Sequence, residues 1–359
     1  MQSYRGTEPR SGLARWVLQG EFGREGEYRE TFMTTIARMA TQLVPLKDVE
    51  RLSSSVIRIL GGNPGKVSYA LIQISWLISS EVHTSRYKAL MTRLKLSDNF
   101  QGTNTYLVGT GRRRILIDTG EGKPAWISAV QKVLKDEDAT VSDTILTHWH
   151  HDHVSGQKHL LEVSPETKIY KNTPDEGQLN IENGQRFQVD GATLRALFSP
   201  GHAQDHMALV LEEEDAMFTG DNVLGHGTAV FEDLAMYLDS LDKMRAVFRG
   251  RAYPGHGAVI DDGPSKILEY IHHRKQREDQ VIQILKSSKS SPGVAVSGGE
   301  PDAWTSMEIV KIVYKEVPEN LHIPANGGIV QILLKLEGED KVFEDSATGS
   351  WRIKDRAAL

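Results

Sequence analysis

Thr147-His148-Trp149-His150-His151-Asp152-His153 is the stretch on which the reading of this chain turns. Four of the 13 histidines fall within residues 148–153. The apolar run at 144–146 reads as a strand, so the cluster belongs on the loop at that strand's C-terminal end. Imidazole and carboxylate are good ligands for zinc and similar ions. The spacing H-x-H-x-D-H suits a loop serving two metals. His148 and His150, as alternating residues, point one way, and Asp152 and His153 turn toward a second ion nearby. The plain alternative is a solvated, histidine-rich turn.

Three further positions argue against that alternative. His202 stands in Ser199-Pro200-Gly201-His202, Asp221 in Phe218-Thr219-Gly220-Asp221, and His256 in Tyr253-Pro254-Gly255-His256-Gly257. Each is a ligand type at a predicted strand end, directly preceded by glycine, which lets the backbone bend sharply and approach a site closely.

Composition narrows the chemistry further. The chain has 359 residues, 39% hydrophobic and 25% charged, enough for a sizeable core in one large domain or two unequal ones. Its net charge of −6 argues against a general nucleic-acid binder. Cysteine is absent, which excludes disulfide scaffolds, cysteine nucleophiles, thiolate zinc sites and iron–sulfur clusters. Any metal must be held by His, Asp or Glu.

The pattern along the chain is α/β. Residues 1–40 are polar and read as a loose extension. Their arginines suit a transit peptide, but Glu8, Glu21, Glu25, Glu27 and Glu30 do not, and the expected location is the cytoplasm. No run of 18 apolar residues predicts a membrane span. Residues 43–59 read as a strand pair and 61–65 as a turn. Residues 67–101 are anomalous, apolar and β-like in front, helical and basic behind, and they interrupt the approach to a strand at 105–108. Three readings compete: a retained intron, since Val67-Ser68 and Gln101 can be encoded by splice-donor and splice-acceptor sequences, an insertion serving as a substrate lid, or an ordinary packed element. Strands are predicted at 114–118, 168–170, 186–189, 193–198, 207–211 and 216–219. Leu234, Leu238, Leu241 and Met244 mark one amphipathic helix, and Ile267, Tyr270, Ile271 and Val281 another. Arg112-Arg113-Arg114 reads as a turn. Residues 41–286 form the predicted catalytic domain. The Ser-, Gly- and Lys-rich stretch 287–299 reads as a linker. After it, Thr305 and Glu308 have the spacing of a capping box, opening a small helical region that ends the chain.

Taken in order, HxHxDH, His202, Asp221 and His256 resemble the metallo-β-lactamase superfamily of binuclear metallohydrolases, over roughly 43–66 and 102–286. The resemblance implies an αββα sandwich with a small C-terminal, winged-helix-like piece. It implies that His148, His150 and His202 hold one metal, that Asp152, His153 and His256 hold another, and that Asp221 bridges them. Two divalent cations are expected, zinc foremost and manganese as the alternative. Asp118, in Ile117-Asp118-Thr119-Gly120, resembles the family's structural acid, which buttresses the ligand loop.

Gly102-Thr103-Asn104-Thr105, the segment Gly220-Asp221-Asn222-Val223-Leu224-Gly225-His226, and Phe231-Glu232-Asp233-Leu234 resemble the lactamase-β-2-like branch. Within it they look most like the fungal acyl-carrier-protein thioesterases that accompany non-reducing polyketide synthases, a likeness that Asp205-His206-Met207 and His226 share. This implies a metal-dependent thioesterase that frees an aromatic polyketide from an acyl carrier protein, by hydrolysis or by Claisen-type closure. Asp152 would orient the nucleophile and shuttle a proton. Asp205, His206 and His226 would support the ligands or touch the substrate. The basic run His272-His273-Arg274-Lys275-Gln276-Arg277 is either a docking face for an acidic carrier protein or a solvated face. Two alternatives remain within the superfamily. A single-stranded RNA endonuclease is opposed by the acidic balance and by the lack of an aromatic-plus-basic strand for stacking bases. A glyoxalase-II-like thioesterase is the other.

Overall fold

Two sheets face each other in the computed structural model, which describes residues 45–63, 102–295, 301–317, 319 and 322–354. The predicted extension at 1–40 and the anomalous stretch 67–101 lie outside the described residues. The first sheet runs, in spatial order, β1 (Val49–Arg51), β2 (Val56–Leu60), β3 (Asn104–Val108), β4 (Arg113–Ile117), β5 (Thr140–Leu146), β6 (Lys168–Lys171) and β7 (Leu179–Asn180). It is antiparallel up to β4 and parallel from there on. The second comprises β8 (Arg186–Val189), β9 (Ala192–Phe198), β10 (Met207–Leu211), β11 (Ala216–Gly220) and β12 (Ala252–Pro254), with only β11 and β12 parallel.

Helices cover the outer faces. On the first sheet Ile59, Leu107 and Leu116 pack against Trp126, Val130 and Leu134 of α1 (Pro124–Asp136). The short α2 (His151–Val154) leads into α3 (Gln157–Val163), which adds Leu160 to that layer. On the second sheet Val210 and Met217 meet α4 (Leu234–Ala246) and α5 (Gly263–Leu285). Between the sheets Ile117 and Ile145 oppose Leu194 and Leu209, and the Tyr106 ring stands edge-on to Phe218 with centroids 5.0 Å apart. The architecture is therefore an αββα sandwich. Strands β3, β10 and β11 bury every residue, and β10 accordingly reads as an unbroken apolar run rather than an alternation.

Two expectations need correction. The stretch read as a linker forms a hairpin over its described part, β13 (Ser287–Ser288) with β14 (Ser291–Ala295). Ser287 Oγ donates to Ile284 O at 2.7 Å and accepts from Gly293 N–H at 3.0 Å. Ser and Gly here build a tight turn, a use that composition alone does not separate from flexibility. The predicted arginine turn also fails, because Arg113 and Arg114 lie in β4. Arg114 is buried, donates to Gly109 O and Gly111 O, and reaches Glu137 Oε2 at 3.2 Å. It ties the β3–β4 turn to the end of α1.

The C-terminal region comprises β15 (Trp304–Thr305), α6 (Ser306–Val313), α7 (His322–Gly338), β16 (Val342–Asp345) and β17 (Ser350–Ile353). Thr305 and Glu308 form the capping box: Thr305 Oγ1 accepts from Glu308 N–H at 3.3 Å, and Thr305 N–H donates to Glu308 Oε2 at 2.8 Å. Trp304, Ile309, Ile332, Leu336 and Trp351 share one buried cluster with α4 and α5.

Candidate metal centre

Five of the seven predicted ligands lie just beyond strand ends, and the other two on a short helix. The loop after β5 carries His148 and His150, and α2 carries Asp152 and His153. His202 follows β9, Asp221 follows β11 and His256 follows β12. Two of these turns need glycine. Gly201 has φ 131°, and a Cβ there would collide with the Tyr237 backbone. Gly220 has φ 50°, and a Cβ there would collide with His206 Nε2.

The seven side chains form two adjoining groups. His148, His150, His202 and Asp221 each offer a donor atom within 4.8 Å of the others, and so do Asp152, His153 and His256. His150 Nδ1 is 2.9 Å from His148 Nε2 and 3.0 Å from His202 Nε2. Asp221 spans both groups. Its Oδ2 lies 3.6 Å from His148 Nε2, 3.5 Å from His202 Nε2 and 3.4 Å from His153 Nε2, and its Oδ1 lies 3.5 Å from His256 Nε2. Asp152 Oδ2 is 3.2 Å from His256 Nε2.

One carboxylate behind the ligands orients both groups. Asp118 Oδ1 accepts from Thr147 N–H at 2.8 Å. Its Oδ2 accepts from Thr147 Oγ1 at 2.9 Å and from His153 Nδ1 at 2.7 Å. Thr147 Oγ1, having donated its proton to Asp118, accepts in turn from His148 Nδ1 at 2.9 Å. Both imidazoles thus carry their proton on Nδ1 and present Nε2 to the centre. His202 is set the same way, with Nδ1 donating to Val230 O at 2.8 Å.

The remaining predicted residues take separate places. His206 Nε2 accepts from the Asp221 backbone N–H at 3.1 Å, while its Nδ1 donates to Ser199 Oγ at 2.9 Å, so it shapes the turn under Asp221. Asp205 Oδ1 accepts from Trp149 N–H at 3.3 Å, and its Oδ2 pairs with buried Lys171 at 2.7 Å. His226 is half-buried against Gly257 and belongs to neither group. Burial first, and then His256, hold it below the ordinary imidazole range. The basic run divides: Arg274 donates to Ala229 O at 2.6 Å and lies over the Phe231 ring, and Arg277 lies over Tyr314. His272, His273 and Lys275 stay exposed.

Sequence reasoning missed several supports. Thr103 Oγ1 donates to Asp152 Oδ2 at 3.1 Å. Asn104 Nδ2 donates to Pro254 O at 2.8 Å and Gly257 O at 2.9 Å, strapping the His256 turn to β3. Both stand in the Gly102–Thr105 motif, which had flagged the segment without showing its task. Lys171 carried no signal.

The electrostatics fit a cationic occupant. Burial would raise Asp152, but His153 and a hydrogen bond from His256 hold it well below the carboxylate range. Burial opposes a charge on His153, yet Asp221, Asp152 and Asp118 together push it well above the imidazole range. Burial holds His148 well below that range, with His153 adding to the effect. His153 Nε2 is buried without a hydrogen-bond partner. Two buried carboxylates, Asp152 and Asp221, and an imidazole nitrogen facing inward are what divalent cations would satisfy, and a donor set of N and O alone suits zinc and similar ions.

Comparison with known proteins agrees with this geometry. Residues 98–173 match the metallo-β-lactamase superfamily, and residues 305–351 match the β-lactamase-associated winged helix domain. Lactamase-like protein adaB of Aspergillus niger is 42% identical over 299 residues, which is 83% of this chain and 84% of that protein. The chain belongs to the metallo-β-lactamase superfamily. A protein named atrochrysone carboxyl ACP thioesterase, from Aspergillus chevalieri, is 44% identical over 305 residues, 84% of this chain and 87% of that one. Among solved structures, a β-lactamase domain protein from Burkholderia ambifaria superposes with a TM-score of 0.63 at 14% identity, over 87% of this chain and 96% of that one. The fold and its two His/Asp groups are those of a metal-dependent hydrolase able to bind metal, with a C-terminal winged helix.

Proposed function

We propose that this chain is an acyl-carrier-protein thioesterase that releases an aromatic polyketide from its synthase, by hydrolysis or by Claisen-type closure. The supporting observation is the seven-donor centre with Asp221 shared between its halves, in a chain closely similar to a named ACP thioesterase. His148, His150 and His202 would hold one divalent ion, Asp152, His153 and His256 a second, and Asp221 both. Zinc is the ion we assign. Two such ions, when bound, would supply a nucleophile at neutral pH and polarise the thioester carbonyl.

The chain's own residues do the rest. Asp118 and Thr147 fix His153 and His148, so these two imidazoles already present Nε2. Asp152 is ionised and steadied by the Thr103 hydroxyl, and it orients the nucleophile and takes up its proton. The departing phosphopantetheine thiolate is a weak base, so no strong general acid is required. The partner is the carrier protein with its polyketide thioester. No helix among the described residues is long and apolar enough to cross a membrane, and we place the reaction in the cytoplasm.

The test is metal-loaded protein on a polyketonyl carrier-protein thioester, with single-stranded RNA under the same conditions. Metal-dependent release with RNA intact supports the reading, and the product's mass separates hydrolysis from Claisen closure. RNA cleavage with the thioester untouched overturns it in favour of the endonuclease.

A further inference from the structure

Trp149 stands between two ligands, yet its side chain faces solvent. It is 52% exposed, whereas Trp126, Trp304 and Trp351 are all buried. This exposure does not come from a loose segment. The Trp149 backbone N–H is held by Asp205, which is itself clamped by buried Lys171. The indole stands edge-on to the His150 ring, with centroids 4.5 Å apart.

A second exposed apolar side chain is fixed just as closely to the same group. Val230 is 68% exposed, and its carbonyl accepts from His202 Nδ1 at 2.8 Å. The Val230 loop is held from below by Arg274 on Ala229 O and by Phe231 stacked on Tyr237. The His150 and His202 rings lie 4.7 Å apart. The Trp149 indole therefore stands against one of two adjacent imidazoles, and the backbone of exposed Val230 is bonded to the other.

We infer that Trp149 and Val230 form the acyl subsite, taking the flat, conjugated part of the thioester acyl group by stacking and apolar contact. This rests on the thioesterase reading and adds the residues that select the acyl chain. A planar acyl group laid on Trp149 gains ring contact and removes apolar surface from water, whereas a short aliphatic acyl group gains little. Trp149 would therefore set specificity without entering the bond-breaking step.

The experiment compares wild type, Trp149→Ala and Trp149→Phe on 2-naphthoyl and butyryl thioesters of N-acetylcysteamine. Metal content and the binding of 2-naphthoate, titrated by calorimetry, are measured alongside. With two ions still bound, Trp149→Ala should lower the naphthoyl-to-butyryl ratio of kcat/KM about tenfold, mainly through KM, and Trp149→Phe should restore most of it. Naphthoate affinity should weaken to a similar degree. An unchanged ratio in Trp149→Ala overturns the subsite and leaves the thioesterase reading intact. If wild type cleaves neither thioester, the thioesterase reading falls and the naphthoate titration decides the subsite alone: weaker binding by Trp149→Ala supports it, equal binding overturns it.

Discussion

Asp118 Oδ2 lies 2.7 Å from His153 Nδ1, and Asp118 holds a left-handed backbone, φ 59°, to reach it. Through Thr147 the same carboxylate also fixes His148, so one residue that is not itself in either donor group sets an imidazole in each. Asp118→Ala should therefore weaken metal binding at both positions, by about 10–100-fold. Chelator-competition titration of folded variant and wild type measures this. An effect confined to one ion would contradict the shared role.

Lys171 and Asp205 are a buried pair under the His148–His150 loop. Lys171→Met leaves a buried carboxylate alone and should cost about 3–5 kcal/mol in denaturant unfolding. Adding Asp205→Leu should recover most of that stability while removing the bond to Trp149 N–H. Activity should fall in the double variant even as its stability returns.

Proton and metal compete at His153. In the metal-free protein its pKa is raised by Asp221, Asp152 and Asp118 against the effect of burial. The stabilisation from that charged imidazole is fully present below its unfolded value near ~6.5, and is lost as pH rises through the folded value. Metal binding runs the opposite way, because the ligand must be neutral. Zinc binding at pH 7 should thus release protons and tighten as pH rises, which calorimetry in buffers of differing ionisation enthalpy reads directly.

The capping box at Thr305 offers a local test in the C-terminal region. Thr305→Ala should cost about 1 kcal/mol by thermal or denaturant unfolding. A loss several times larger would mean that Thr305 does more than cap α6.

The candidate ligands were legible because they are chemically distinctive and clustered, four of them within residues 148–153 and three more just after apolar strands. The sandwich followed from the family resemblance that these residues carry; the order of apolar runs by itself gave only an α/β pattern. The supports were harder to see because their partners are distant. Asn104 acts on Gly257, Lys171 on Asp205 and Thr103 on Asp152, contacts that no local period encodes. Thr305 and Glu308 were legible because their bond is local. Ser287 was not, since the same Ser- and Gly-rich composition serves a linker and a tight hairpin.

The most direct test of the central claim is thioester release followed as zinc is added back to stripped protein. We predict that release by wild type rises to a plateau at two ions per chain, and that His150→Ala never reaches it. Full release from the stripped protein, or release indifferent to chelation, would contradict a two-ion centre built on these seven side chains.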